Sequence, residues 1–253
     1  MVELLKKLLS KTDALNILEL ISDLSACENN ESYKPLFGQL QNLFDFTDAV
    51  CGNGNLKDAL LSKKPVYNYL PINYPEGYLR RYFNKGYHIL DPMFKETVKT
   101  GQVENWNEVN KRLFSGKKEI VYSDAAQFGL NDGFTYGMSD SSYNNWSMFW
   151  FAGRKVDNTA RTKHIIQLTV PHLHEAYKRL LAKDKKKRYH LTPKELEVLN
   201  WLKEGKSSWE TGMILRISER TVNFHINNIK VKLESTNRTQ AVAIALRENL
   251  IQL

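Results

Sequence analysis

The sequence predicts an α+β protein in two parts: an α/β/α sandwich around an antiparallel sheet over residues 1–180, then an all-α, four-helix domain over 191–253. Three observations lead there. In ISERTVNFHINNIKVKL, Val222, Ile226, Ile229 and Leu233 follow at steps of four, three and four, the spacing of one apolar helix stripe. Strand-like runs at VYNYL (66–70), GFTYGMS (133–139) and WSMFWFA (146–152) are interleaved with helical segments. The 253 residues also exceed what a small helical unit needs by about one ordinary domain.

The carboxy-terminal helices are justified residue by residue. Ser218 stands where its hydroxyl accepts from the open N–H groups of a first turn, and Glu219 adds negative charge at the positive end of the helix, so this helix starts near Glu219. Upstream, LTPKELEVLNWLKEGK reads as a helix with Leu196, Leu199 and Leu202 inward, SSWETGMIL as a short second helix, and Arg216 to Ser218 as a tight turn. Two helices joined by a three-residue turn are the helix-turn-helix plan. Half a revolution from the core stripe lie Arg220, Phe224, Asn227 and Val231, flanked by Asn223 on one side and Thr221 and Asn228 on the other. Arg and Asn make paired hydrogen bonds to base edges, an apolar ring meets a thymine methyl, and Thr221, His225 and Lys232 at the margins are expected to hold phosphates of double-stranded DNA.

Charge agrees with that expectation. The chain carries a net charge of +8, and from Leu181 onward 14 basic residues stand against 8 acidic ones, so most of the excess sits on the smaller domain. Part of it is the run KDKKKR, expected as a solvated basic linker over 181–190. The two cysteines, Cys27 and Cys51, suggest neither secretion nor a metal cluster. The amino terminus, MVELLKKLLSKTDALNILELI, is apolar at helical spacing but broken by Lys, Glu and Asp, unlike a signal peptide or membrane span. A cytoplasmic protein without membrane association is expected. The chain has no G-x-S-x-G, P-loop or H-E-x-x-H pattern, and His172 and His174 diverge on a helix, so no catalytic residues, metal or cofactor are assigned. A phosphorylated receiver would need an acidic pair near its amino terminus, which MVELLKKLLSK lacks.

The most informative segment of the larger domain is NYPEGYLRRYFNKGYHILDPMF. Tyr74, Tyr78 and Tyr82 recur every four residues and line one side of a helix if Pro75 opens it; Asp91-Pro92 follows, and Trp106 comes fifteen residues after Asp91. Singly, an aromatic stripe fits a core and an Asp before Pro fits a turn. Together they offer O–H and N–H donors, one acceptor carboxylate and rings that exclude water, an inventory matching a small molecule with carbonyls, one amide N–H and an apolar tail. In WSMFWFA, alternation puts Trp146, Met148, Trp150 and Ala152 on one face and Ser147, Phe149 and Phe151 on the other; the rings either shape a tail channel or pack the sheet against helices.

The stretches LTPKELEVLNWLKEGK, ISERTVNFHINNIKVKL and TNRTQAVAIALRENLI together resemble the DNA-binding domain of LuxR-type transcription regulators, with Glu195, Leu199 and Gly205 at family positions. Where the family has Ile-Ala, this chain has Thr211-Gly212, expected to loosen the second helix slightly. Residues 1–180 resemble the family's autoinducer-binding domain. The resemblance implies an acyl-homoserine lactone-type signal surrounded by Tyr74, Tyr78, Tyr82, Asp91, Pro92, Trp106, Gly133 and Trp150, with Tyr78 standing where the family carries Trp. It also implies a homodimer, for which TARTKHIIQLTVPHLHEAYKRLLAK and TNRTQAVAIALRENLI are the candidate contacts.

Overall fold

The computed structural model describes residues 7–55, 67–113, 119–140, 145–248 and 250–251. The first six residues of the predicted amino-terminal helix, Val66 of the first predicted strand and Asn249 of the last helix lie outside that set. Contacts divide the chain into two compact units, 1–177 and 178–253.

The first unit begins with helix α1 (Lys11–Ala26), started by a reciprocal cap: the Asp13 N–H donates to Ser10 Oγ at 3.0 Å and the Ser10 N–H donates to Asp13 Oδ2 at 2.8 Å. Its buried stripe is Ile17, Leu20 and Leu24. Short helices α2 (Asn30–Tyr33) and α3 (Leu36–Gln41) follow. The sheet is five-stranded, with β1 (Asp48–Asn55), β2 (Tyr67–Ile72), β3 (Glu104–Asn105), β4 (Asp132–Asp140) and β5 (Asn145–Gly153) in the order β2-β1-β5-β4-β3, antiparallel throughout. Sequence reading missed β1, DAVCGNGN, because its small and polar residues do not alternate like a strand. Gly52 explains part of that composition: a Cβ there would lie 2.9 Å from the Trp150 ring across the strand pair.

The alternation predicted for β5 is present, and both faces are covered. Phe151 packs against Phe37, Phe44 and Phe46, while Tyr33 on the same side donates to the Leu173 carbonyl at 3.0 Å. Trp146, Met148, Trp150 and Ala152 face the helices inserted between β2 and β4: α4 (Glu76–Asn84), α5 (Tyr87–Leu90), α6 (Pro92–Thr100), α7 (Trp106–Leu113) and α8 (Glu119–Ala126). This is the α/β/α sandwich.

Helix α9 (Ala160–Tyr189) closes the sandwich and runs on into the second unit. Arg161 ties its start to α1, donating to Asp13 Oδ1 and Oδ2 and to the Leu43 carbonyl. That guanidinium holds the Asp13 carboxyl down to about 2. The run KDKKKR, expected as a linker, keeps helical backbone to Tyr189; lysine and arginine are good helix formers and need no apolar face to propagate a helix.

The second unit contains α10 (Pro193–Lys203), α11 (Ser208–Leu215), α12 (Glu219–Lys232) and α13 (Arg238–Arg247). Val222, Ile226, Ile229 and Leu233 are buried together with Val198, Leu199, Leu202, Ala241 and Ala245. Leu196, predicted inward, is only half-buried at the edge of this core, and Val198 takes the central place. Gly212 has a packing reason: a Cβ there would come 2.8 Å from the Ile217 carbonyl, so the residue lets the turn fold back on α11.

Candidate ligand cavity and nucleic-acid interface

The sandwich holds an internal cavity of about 50 Å³ between its sheet and α4, α6, α7 and α8. Pro75 ends the extended segment and α4 starts at Glu76, so Tyr74 precedes the helix, yet the three tyrosines remain a ladder with ring centroids 6.2 and 5.9 Å apart. All three line the cavity with Asp91, Trp106 and Trp150. Burial pushes the phenols upward from their ordinary range, so the ladder is uncharged at neutral pH.

Asp91 is both a structural cap and the polar centre of this wall. Its Oδ1 accepts the Met93 N–H at 2.8 Å, capping α6 with Pro92 in the first turn, while Oδ2 accepts the Tyr82 hydroxyl at 2.7 Å. Burial raises its pKa from the ordinary value, and the hydrogen bonds from Tyr82 and Met93 oppose that rise. A third, longer bond comes from Tyr122, whose hydroxyl donates to Oδ1 at 3.4 Å. The indole N–H of Trp106 donates to Thr135 Oγ1 at 2.8 Å, which fixes the ring in the cavity wall.

Two predicted residues do not line the cavity. Pro92 belongs to the first turn of α6, and Gly133 lies behind Trp106, where a Cβ would overlap the Phe151 carbonyl and come 2.9 Å from the indole. Gly133 therefore supports the site by letting Trp106 approach β4. Sequence reading also missed Val50, Met93, Val121, Tyr122 and Ala125. The last three share a face of α8, and the spacing of Val, Tyr and Ala in EIVYSDAA was the available signal.

A second cavity of about 30 Å³ shares the Val50, Tyr82 and Trp150 wall and continues between Gly52, Phe83, Phe94 and Trp146, an almost wholly apolar lining. Both volumes are well below the roughly 300 Å³ at which small-molecule sites begin. The outer side of α8 is fastened by Asp124, which accepts from Tyr87 at 2.8 Å, Arg81 at 3.0 Å and Lys85 at 3.3 Å.

In the second unit, the Thr221 N–H donates to Ser218 Oγ at 3.1 Å, so α12 starts where the sequence places it. Arg220, Asn223, Phe224, Asn227 and Val231 are exposed, with Phe224 at 61% and Val231 at 78% of full exposure. Thr221, His225 and Asn228 are half-buried at the margins. Asn223 Oδ1 accepts the Ser208 hydroxyl at 2.7 Å, bracing α12 against α11. Lys232 departs from expectation. Its ammonium donates to both Glu195 oxygens, at 2.9 and 2.7 Å, and to the His190 carbonyl at 2.8 Å. Three donors meet three acceptors, so Lys232 is a strut under the helix and holds no proton back for a phosphate. Burial opposes ionisation of Glu195, but Lys232 and the Thr192 N–H together hold its pKa below the ordinary range.

No helix among the described residues is long and apolar enough to cross a membrane. Residues 35–177 match the family described as autoinducer binding domain, and residues 189–245 match bacterial regulatory proteins, luxR family. The transcriptional activator protein LuxR of Aliivibrio fischeri is 30% identical over 234 residues, covering 90% of this chain and 91% of the relative. SolR of Ralstonia nicotianae, also named a transcriptional activator protein, is 34% identical over 184 residues, covering 70% and 76%. Among solved structures, Escherichia coli SdiA superposes with a TM-score of 0.61 at 24% identity over 94% of this chain and 98% of that one, which shows a shared fold. The chain therefore belongs to the LuxR family of ligand-responsive transcription regulators, an autoinducer-binding domain joined to a helix-turn-helix domain.

Proposed function

We propose that the signal is an acyl-homoserine lactone-type molecule seated in the cavity between the sheet and α4, and that the liganded protein binds DNA as a homodimer. The observation that carries this reading is Asp91, an acceptor carboxylate buried in a cage of phenols and indoles beside an apolar extension. An amide N–H on the carboxylate, carbonyls on the tyrosyl hydroxyls and an acyl chain along Trp150 satisfy that inventory. Solved CepR2 of Burkholderia cenocepacia, a structural neighbour, is named N-acylhomoserine lactone dependent. RpaR of Rhodopseudomonas palustris, 31% identical over 186 residues, is named quorum sensing-dependent.

The ligand completes the core of the domain, and binding to the folded state alone stabilises it by mass action. On DNA, Arg220 and Asn227 read base edges, Phe224 and Asn223 complete the groove face, and Thr221, His225 and Asn228 hold the backbone. Two copies present two such helices to adjacent half-sites. The protein acts in the cytoplasm, where its DNA target lies. The test is selection of duplexes from a random pool by the full-length protein, with and without N-acyl homoserine lactones. Enrichment of an inverted repeat only with the lactone is the expected outcome. Identical enrichment in both arms would sink the ligand assignment, and enrichment of a single half-site would sink the dimer.

A further inference from the structure

The polar atoms of the cavity are not equally committed. Asp91 already accepts from Tyr82, from the Met93 N–H and, at longer range, from Tyr122. An N–H arriving from a ligand competes with the weakest of these partners. The Met93 N–H is fixed by the start of α6 and Tyr82 sits at 2.7 Å, whereas the Tyr122 hydroxyl is at 3.4 Å, beyond the usual range for O–H···O bonds. Tyr122 is therefore the partner that yields. Its neighbour Tyr78 is held as loosely, donating to the Val121 carbonyl at 3.4 Å. Both long bonds lie against α8, so a molecule entering there releases two hydroxyls at once.

A hydroxyl differs from the other donor of this wall. The Trp106 N–H can only donate and is occupied by Thr135; a phenol both donates and accepts. We propose that Tyr122, together with Tyr78, reads the ligand head group from the α8 side, and that the cavity therefore takes N-acyl amides ending in a hydroxyl as well as those ending in a lactone. The inference rests on the ligand reading above. Towards a lactone carbonyl both phenols donate; towards a ligand hydroxyl one donates and the other accepts. A carboxylate head is refused, because it would bring a second negative charge beside the buried Asp91.

The test is thermal unfolding of the full-length protein titrated with three probes at hexanoyl, octanoyl and dodecanoyl chain lengths: the N-acyl homoserine lactone, the N-acyl ethanolamine and the ring-opened N-acyl homoserine. The first two are expected to raise the unfolding temperature with affinities within about tenfold of each other, and the acid to leave it unchanged. Tyr122→Phe should weaken both binding probes by about three- to tenfold, the effect of one hydrogen bond. Tyr78→Trp, which leaves a donor but no acceptor, should weaken the ethanolamine several-fold more than the lactone. A lactone that binds while the ethanolamine is more than about a hundredfold weaker overturns the proposal but leaves the lactone reading standing. Unchanged affinities in Tyr122→Phe overturn the role of that residue. If Tyr122→Phe does not unfold cooperatively without ligand, Tyr78→Trp decides, and equal losses for both probes count against the proposal. Absence of a shift with every probe overturns both this inference and the ligand reading.

Discussion

The groove face of α12 and the cavity under α4 are built on opposite principles. The groove face comes from one helix, its side chains stand in solvent, and its supports (Ser218, Asn223 to Ser208, Lys232 to Glu195) are already made. The cavity wall is drawn from β1, β5, α4, α6, α7 and α8, encloses about 50 Å³, and carries long hydrogen bonds at Tyr78 and Tyr122. A surface prepared in advance suits a partner of fixed shape such as a duplex. A buried, loosely bonded wall suits a molecule that must be surrounded.

The contrast breaks most visibly at the strut. Lys232→Met leaves the buried Glu195 carboxylate without its cation, and the second unit is expected to lose about 2–4 kcal/mol in urea unfolding, somewhat less than for a fully buried pair because Lys232 keeps some solvent contact. Restoring part of that stability by adding Glu195→Gln would identify the uncompensated charge as the cause. A loss below about 0.5 kcal/mol would return Lys232 to the DNA-facing set.

Arg220→Ala and Asn227→Ala test the other side of the comparison. Each is expected to reduce discrimination between the selected duplex and random DNA by about 1–3 kcal/mol in competition binding, while stability changes by less than about 0.5 kcal/mol because both side chains are exposed. Equal weakening on both duplexes would make them phosphate contacts.

A smaller effect is expected from Asp13, which does not line the cavity. Its pKa is lowered to about 2 in the fold by Arg161, so its contribution is fully present above the unfolded value near ~4 and is lost as pH falls through about 2. Asp13→Asn should cost about 1 kcal/mol at neutral pH, with Arg161 partly solvent-screened, and the difference from wild type should shrink as acid unfolding is followed from pH ~4 down to ~2. A difference constant across that window would assign the loss to the helix cap alone.

The sequence was most legible where structure is local. The stripe of α12, the cap at Ser218 and the exposed Arg and Asn residues follow from one helical period. The tyrosine ladder also survived, even though Tyr74 stands before its helix. What stayed hidden depends on contacts between distant segments. Gly52 makes a strand of an unpatterned run because Trp150 lies over it, and Gly133 serves Trp106 instead of the cavity. Tyr122 joins Asp91 from thirty-one residues away. Lys232 looked like any basic residue at a helix end until Glu195, thirty-seven residues earlier, was placed beneath it.

Amide hydrogen exchange of the full-length protein, with and without a saturating N-acyl homoserine lactone, tests the contrast most directly. At ligand 100-fold above its dissociation constant, amides of α4, α8 and β5 that exchange only through unfolding of the domain should slow by up to about 100-fold, while α12 keeps its rates. Unchanged exchange in α4, α8 and β5, or protection confined to α12, would contradict a cavity that closes around its signal and a groove face that is already formed.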